Sequence, residues 1–401
     1  MTPTERELRD ALHATPVDPQ ARERARQMLQ AARRDARAVA APRGRVVRRR
    51  PALTLAVAAA LGLAAVPAAL GEPGADAVGW VKDSLGLGPK VSERPALTSV
   101  PGGGRLLVSG ASGAWVVASD GSRRRLGAYA GADWSPRGLF VVAWRGGQLS
   151  AVTPGGRVRW SITRPAPIAV ARWAPGDGFR IAYVSGGALR IVNGDGTGDR
   201  ELVARIGAAT PEWQPGARHV LAYATAGGRV RLLAVDSGRA QLTTRTFGAV
   251  RRLAWSRGGT RLAVLTERHL LVIAADPNGR IISRRALPAG TRGIDVAFSP
   301  RGDDTLGLVR RHPGGASDEV VLLPARGSTA GDVVFSAPSQ LGALAWAPDG
   351  ARLLVPWREG NQWVFLPSKI GATAEVVAGI ARQFAPGDDA PAFPHSVRWC
   401  C

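Results

Sequence analysis

The chain contains very little cysteine. Its only cysteines are Cys400 and Cys401, the last two residues. Neither a disulfide framework nor a zinc site with paired-cysteine spacing can be built from them. The pair can form a vicinal disulfide, cross-link to a partner or remain as thiols, and the sequence leaves these three outcomes open.

Lysine is also scarce, although the formal net charge is +22. Lys82, Lys90 and Lys369 are the only lysines, so arginine supplies nearly all of the positive charge. The arginines are spread along the chain together with abundant alanine, glycine and proline, as is typical of a GC-rich genome. No helix or ribbon concentrates them with interleaved aromatic residues, the pattern that favours single-stranded nucleic acid. We therefore expect no specific nucleic-acid binding.

Sequence motifs of catalysis are missing as well. The chain has no Gly-x-Ser-x-Gly, no His-Glu-x-x-His and no phosphate-binding glycine loop before a helix. A stretch of glycine and acidic residues at 193–199 resembles a calcium loop but lacks the late glutamate, so we interpret it as a hairpin turn. The sequence therefore predicts no catalytic, cofactor or metal site and assigns no binding residue. The five histidines are dispersed: His13, His219, His269, His312 and His395.

Residues 1–50 form a polar, basic segment with helical signals. Thr4 and Glu7 fit a capping box, and Asp18-Pro19 marks a second helix start. Five arginines between Arg43 and Arg50 then precede Pro51–Gly71, an uncharged run of 21 residues. A run of about 20 apolar residues can cross a bilayer as a helix. The positive charge on the N-terminal side of this run predicts that residues 1–50 lie in the cytoplasm and that the rest of the chain lies outside it.

Two other interpretations of Pro51–Gly71 remain. Val66-Pro67-Ala68 offers a small-residue cleavage site for a signal peptide, but a leader of about 50 structured residues is long for one. A buried helix of a cytoplasmic protein is the third interpretation. The favoured division is a cytoplasmic segment at 1–50, a transmembrane helix at 51–71, a juxtamembrane linker at 72–97 and one large domain at 98–401.

The large domain is built from a repeat. An aromatic residue followed by a Ser/Ala/Gln-Pro/Arg turn recurs at intervals of 39, 40, 42, 43 and 48 residues, and Phe384 opens a weaker seventh copy after 38 more. Glycine-containing hairpin turns, such as Gly146-Gly147 and Gly155-Gly156, divide each period into four short strands. These strands are apolar on both faces, which suits sheets covered by neighbours on both sides. The aromatic residues of the six clear copies are Trp134, Trp173, Trp213, Trp255, Phe298 and Trp346.

Four-stranded units at periods of about 40 to 50 residues are typical of a β-propeller. We predict an all-β ring of seven blades, with six as the alternative, and blade limits near 100–135, 136–174, 175–214, 215–256, 257–299, 300–347 and 348–401. Ser396–Cys400 is expected to close the ring on the first blade or to complete the last one. One aromatic residue per blade is expected to act as a wedge between sheets.

The Trp-Ser-Pro-x-Gly and Trp-Ala-Pro-Asp-Gly turns, with Asp195-Gly196-Thr197-Gly198, resemble the TolB-like and WD40-like propeller repeats of bacteria. This resemblance implies ligand binding or protein contact at the faces of the ring and no fixed chemistry. A single Gly-x-x-x-Trp stretch, Gly156–Trp160, resembles the docking motif of quinoprotein propellers. We predict a membrane-anchored, non-catalytic binding module, serving as a sensor or an envelope scaffold. Its partner is expected to be a protein or an envelope component, with no cofactor. The alternatives are a quinoprotein-type enzyme and an anti-sigma-like transmembrane regulator.

Overall fold

The computed structural model describes residues 91–176, 179–302, 304–315, 317–329, 331–368, 373–385 and 390–401. In these residues no helix is long and apolar enough to span a membrane. The predicted segments 1–50 and 51–71 lie outside the described residues, as does the predicted linker up to residue 90. The described chain folds into seven β-sheets, which we call blades 1 to 7.

Each blade is given from its innermost to its outermost strand. Blade 1 contains β29 (Ser396–Cys400), β2 (Arg105–Gly110), β3 (Gly113–Val117) and β4 (Arg123–Gly127). Blade 2 contains β5 (Gly131–Trp134), β6 (Val141–Arg145), β7 (Gln148–Val152) and β8 (Val158–Thr163). Blade 3 contains β9 (Ile168–Trp173), β10 (Arg180–Ser185), β11 (Ala188–Asn193) and β12 (Arg200–Val203). Blade 4 contains β13 (Glu212–Trp213), β14 (Val220–Ala224), β15 (Val230–Ala234) and β16 (Arg239–Thr243).

Blade 5 contains β17 (Val250–Trp255), β18 (Arg261–Thr266), β19 (His269–Ala274) and β20 (Ile281–Ala286). Blade 6 contains β21 (Arg292–Phe298), β22 (Thr305–Arg311), β23 (Asp318–Pro324) and β24 (Asp332–Ala337). Blade 7 contains β25 (Ala345–Trp346), β26 (Arg352–Trp357), β27 (Gln362–Pro367) and β28 (Ala374–Val377), with β1 (Val91–Arg94) added outside β28. A short helix, α1 (Ile380–Gln383), and a 3₁₀ turn at Pro313–Gly315 complete the described elements.

The apolar core is divided among the seven interfaces between blades. Seven clusters of buried side chains each join two neighbouring sheets. Val142 of blade 2 and Ile181 of blade 3 share one cluster, for example, and Val108 of blade 1 and Phe365 of blade 7 share another. Each sheet therefore has both faces covered, as the strand patterns predicted. The second of these clusters closes the ring, so the prediction of seven blades is confirmed.

The last strand of the chain forms the seam of the ring. β29 pairs antiparallel with β2 from Arg105↔Cys400 to Ser109↔Ser396. Two outcomes were predicted for Ser396–Cys400, and the structure shows closure on the first blade. The sequence-predicted blade limits are displaced by one strand, because each aromatic residue ends the innermost strand of its own blade rather than the last strand of the preceding one.

The assignment of Phe384 as the seventh copy is wrong. Trp399 pairs with Leu106 in the same way that Trp134 pairs with Val141 and Trp346 with Leu353. Phe384 instead follows α1 and is buried against Trp363, with ring centroids 5.3 Å apart. The seventh motif is split, since its aromatic residue lies at the end of the chain and its turn lies at residues 101–104.

The aromatic residues act as wedges, as predicted, and four of them make an equivalent hydrogen bond to the preceding blade. The indole N–H of Trp134, Trp213, Trp255 and Trp346 donates to a backbone carbonyl of the preceding blade, at 3.3, 3.0, 3.0 and 3.4 Å. The acceptor in each case immediately precedes the aromatic residue of the preceding blade, and the four acceptors are Arg398, Arg172, Glu212 and Ala297. An aromatic ring thus fills the interface while its polar edge is satisfied.

The order of the strands defines two faces of the ring. Turns between the first and second strands, and between the third and fourth, lie on one face, which we call the turn face. Hairpins between the second and third strands, and the connections between blades, lie on the other, which we call the loop face. Gly138, which ends the first turn of blade 2, has φ 61° and donates to the carbonyl of Ser135 at 2.8 Å. Positive φ explains why glycine recurs at this turn position.

The two cysteines form a vicinal disulfide at the end of β29. Cys400 pairs with Arg105 in the β2–β29 ladder, and the Arg105 guanidinium lies 3.6 Å from Sγ of Cys401. Of the three fates left open by the sequence, the structure has the disulfide.

Candidate functional site

Charged side chains converge at the axis of the ring. The innermost strands of neighbouring blades contact each other there, and six of the seven strands contribute one charge. Arg172 pairs with Glu212 at 3.3 Å and Arg252 pairs with Asp295 at 3.2 Å. The third pair, Arg398 with Asp133, is looser at 3.9 Å. We call these six residues the axial ring: Asp133, Arg172, Glu212, Arg252, Asp295 and Arg398.

The axial ring alternates in sign. Going round from blade 2 to blade 6, the charges are negative, positive, negative, positive and negative, and blade 1 adds a positive one. Blade 7 contributes Ala345, which is 8% exposed. Perfect alternation is impossible in a ring of seven, because two like charges would have to be neighbours. Blades 5 and 6 also have alanine at this position, Ala254 and Ala297, and their charged residues lie two residues earlier in the strand. With blade 7 uncharged, three carboxylates face three guanidinium groups.

Burial and charge shift the pKa values of the axial ring in different directions. Burial raises the pKa of Glu212 despite the opposing charges of Arg172 and Arg398. Burial likewise raises the pKa of Asp295 against the opposing charge of Arg252. The positive charge of Arg172 is the main cause that lowers the pKa of Arg398. Burial alone would lower the pKa of Arg172, but the carboxylates of Glu212 and Asp133 raise it.

Two carboxylates of the axial ring also hold the backbone. Asp133 accepts a hydrogen bond from the backbone N–H of Trp173 at 3.2 Å, and Asp295 accepts one from Leu344 at 2.8 Å. The bond of Asp133 reaches the next blade, and the bond of Asp295 reaches the connection between blades 6 and 7. The axial ring therefore joins blades as well as balancing charge.

Titratable groups with shifted pKa values at the axis are what an enzyme would show. Here each carboxylate of the axial ring has an arginine partner, and an ion-pair network that joins blades produces the same shifts. In the described residues no three His, Cys, Asp or Glu side chains are grouped so as to hold a metal ion. The geometry of the axial ring is thus explained by its role in holding the blades together.

A second group of charges lies on the loop face of blade 5. Three adjoining cavities, of about 230, 480 and 300 Å³, lie around the loop-face ends of β19 and β20, and the third also extends along blade 6 to Ser328 in the turn after β23. His269 lines the first and second, and Arg284 lines the first and third. Arg245 and Phe247 complete the first cavity, and Arg268 lies in the second. We call this region the arginine saddle. No sequence motif marks it, because its residues come from the β18–β19 hairpin, from β19 and β20, and from two connections between blades.

The described histidines have separate environments. Nδ1 of His219 bonds to Asp236 at 2.6 Å, and the ring of His219 packs edge-on against Trp213. His312 lies 3.0 Å from Glu319, and Nε2 of His395 lies 3.1 Å from the carbonyl of Ala130. Of the five dispersed histidines, His269 is the one that borders a described cavity, and His13 lies outside the described residues.

The stretch that resembles a quinoprotein docking motif joins two blades. Trp160 of β8 donates to the carbonyl of Gly194 at 2.8 Å, and its ring lies over Gly196, where a Cβ would approach it to 2.8 Å. Gly194 and Gly196 belong to the hairpin after β11, in which Asp195 accepts a hydrogen bond from the backbone N–H of Thr197 at 3.0 Å. Trp160 thus docks blade 2 on blade 3, and residues 193–199 form the predicted turn.

Comparisons with known proteins identify the fold. No protein-family model matches the chain, and no curated protein matches it. Among solved structures, the β-propeller domain of Cps50 (Swd1) from Myceliophteria thermophila matches with a TM-score of 0.55 and 13% identity, over 68% of this chain and 99% of that one. Hsv2 from Kluyveromyces lactis matches with a TM-score of 0.50 and 12% identity, over 68% and 93%. The chain is a seven-bladed β-propeller. At these identities the likeness shows the fold and carries no function by itself.

Proposed function

We propose that the chain is a membrane-anchored binding module whose propeller lies outside the cytoplasm and holds a protein or an envelope component. The observation that carries the proposal is the contrast between the two charged regions. Charges at the axis pair with one another, whereas the arginine saddle presents charge to an open face. An exposed charged patch on one face is a feature of interaction surfaces. We assign no catalytic, cofactor or metal role to any residue.

The position of β1 supports an orientation for the propeller. β1 pairs parallel with β28 from Val91↔Ala374 to Arg94↔Val377. β28 runs from the turn face to the loop face, so the chain arrives at blade 7 from the turn face. A membrane helix at Pro51–Gly71 would therefore attach on that side, and the arginine saddle would be directed away from the bilayer. Such an orientation suits a partner in the envelope rather than a lipid headgroup of the same membrane.

Cross-linking in intact cells tests this proposal, with attached proteins and polymers identified separately on the two sides of the membrane. We expect partners linked to residues 98–401 on the outer side. Recovery of cytoplasmic partners on the propeller would contradict the predicted topology. Protease added to intact cells should also digest the propeller and spare residues 1–50.

A transmembrane regulator is one more specific version of this proposal, and an envelope scaffold fits the same topology equally well. In the regulator, residues 1–50 would capture a cytoplasmic partner while the propeller senses an outer ligand, an arrangement that rests on analogy of layout. A pull-down with the full chain and with a chain lacking residues 1–50 separates the versions. A cytoplasmic partner that is retained only by the full chain supports the regulator. If no cytoplasmic partner is retained, the result supports an envelope scaffold.

A further inference from the structure

The arginine saddle carries positive charge that the described residues do not neutralise. Arg245 and Arg268 are exposed, and in the described part of the chain neither guanidinium forms an ion pair. The carboxylates nearby are already matched, since Glu267 pairs with Arg251 and Glu319 pairs with Arg310. Glu267 also lines the second cavity, beside Arg268, but its carboxylate is matched by Arg251, so a ligand meets an excess of guanidinium groups.

His269 holds the third guanidinium in place. Nε2 of His269 lies 3.1 Å from the Arg284 guanidinium. Burial, followed by the charges of Arg284 and Arg268, lowers the pKa of His269, which favours the neutral ring that can accept this hydrogen bond. Arg284 is thereby positioned where the first and third cavities meet.

We propose that the arginine saddle binds a flexible polyanion with repeated oxyanion groups, and that Arg245, Arg268 and Arg284 hold these groups. This proposal rests on the proposed function. Guanidinium groups bind phosphate and carboxylate oxygens through paired N–H donors. Arg245 and Arg284 line the first cavity, Arg268 lines the second, and Arg284 also reaches the third, so one small anion leaves part of the saddle unused. A chain with an oxyanion on successive units places a charge in each cavity and gains affinity from every added contact.

The arginine saddle differs from the other arginine contacts of the same blade. Arg285, next in sequence to Arg284, is fully engaged by the protein. It donates to the carbonyls of Thr329, Pro324 and Arg326, and to the hydroxyl of Ser283. Arg285 therefore fastens blade 5 to blade 6, and its neighbour remains available to a ligand.

Binding of fluorescent linear polyphosphate and of poly-L-glutamate to the full-length chain in detergent tests the proposal. The variant is Arg245→Gln/Arg268→Gln/Arg284→Gln. Its matched control, Arg137→Gln/Arg239→Gln/Arg280→Gln, removes three exposed arginines from the turn face. We expect at least a roughly tenfold loss of affinity in the saddle variant and less than about a twofold change in the control. Added salt should weaken the binding.

The two polymers distinguish the source of the oxyanions. Tight binding of polyphosphate alone supports a phosphate polymer, and tight binding of polyglutamate alone supports a carboxylate polymer. Equal losses of affinity in the saddle variant and the control overturn the site, since binding would then depend only on the overall charge of the chain. Binding of inorganic phosphate as tight as that of the polymer overturns the extended ligand. If neither polymer binds while cross-linking still finds an outer partner, this inference fails and the proposed function stands.

Discussion

Trp134 donates its indole N–H to the backbone carbonyl of Arg398 at 3.3 Å, across 264 residues of sequence. Trp213 makes the equivalent bond to Arg172 and Trp255 makes it to Glu212. The seam between the two ends of the chain is therefore built like the interfaces within it. Because each blade covers its neighbours, a defect at the seam should act on the whole ring.

Replacing Trp134 tests the wedge. Trp134 is 8% exposed, and Trp134→Ala removes a large side chain from the interface of blades 1 and 2. We expect a loss of about 3–5 kcal/mol in the free energy of unfolding, measured by chemical denaturation. Trp134→Phe keeps an aromatic wedge and should cost less. Val158→Ala, at a side chain that is 51% exposed, is the control and should change stability by less than about 0.5 kcal/mol. Equal effects at 134 and 158 would refute the wedge.

The axial ring is tested by a double-mutant cycle on Arg172 and Glu212. Glu212→Gln removes the carboxylate that lies 3.3 Å from Arg172, and it leaves Arg172 and Arg398 to repel each other. We expect a loss of about 1–3 kcal/mol, below the value for a fully buried pair because Glu212 is 28% exposed. Adding Arg172→Gln should recover part of that loss. Strictly additive losses would mean that the two charges do not act together.

The repeat predicted the fold well because every blade is built from the same local elements. Turn glycines, apolar strands and one aromatic wedge are visible in six linear copies. The seventh blade was counted, but its aromatic residue was assigned to Phe384 instead of Trp399, because its motif is split between residues 101–104 and the strand at 396–400.

The axial ring was not predicted. Asp133 and Arg398 lie far apart in sequence, and nothing in a single copy shows which charge it will meet at the axis. The arginine saddle was missed for a related reason, since Arg245, Arg268 and Arg284 are indistinguishable in sequence from the many other arginines.

Acid should weaken the turn face at Asp236. Asp236 accepts hydrogen bonds from His219 at 2.6 Å and Arg180 at 3.2 Å. The bond from His219 is the largest cause that lowers the pKa of Asp236 to about 2. Because this pKa lies below that of the unfolded chain, the stabilisation is complete above about pH 5 and is lost as the pH falls towards about 2.

The measurement compares the free energies of unfolding of the natural chain and Asp236→Asn as the pH falls. We expect a difference of about 1 kcal/mol at pH 6, reduced because Asp236 is 37% exposed, and almost none near pH 2. The difference between the two chains is measured because Glu212 and Asp295 have raised pKa values, so their contributions to the free energy of unfolding change with pH in the opposite direction. These contributions are the same in both chains and cancel in the difference. A difference that is independent of pH would contradict the assignment to Asp236.

Reducing the vicinal disulfide should leave the ring intact. Cys400 and Cys401 are adjacent in sequence, so their bond closes a minimal loop and barely restricts the unfolded chain. We expect the melting temperature to fall by less than about 2 °C in reductant. Deletion of residues 396–401 is the contrasting control, because it removes β29 from the seam and should abolish cooperative melting. A large effect of reductant alone would show that the disulfide itself supports the closure.

The attachment of β1 to blade 7 is expected to depend on Glu375. Its carboxylate, 10% exposed, lies 2.6 Å from the Arg94 guanidinium and 2.9 Å from that of Arg352. Glu375→Gln removes the negative charge between two arginines, which should then repel each other and release β1 from β28. We expect amide hydrogen exchange at 91–94 to rise by at least about tenfold, while exchange in β2 and β29 stays unchanged, because the seam does not involve this pair. Glu93→Gln, at an exposed residue of the same strand, is the matched control. Unchanged exchange in the Glu375 variant would mean that backbone pairing alone holds the strand through which the predicted membrane anchor reaches the propeller.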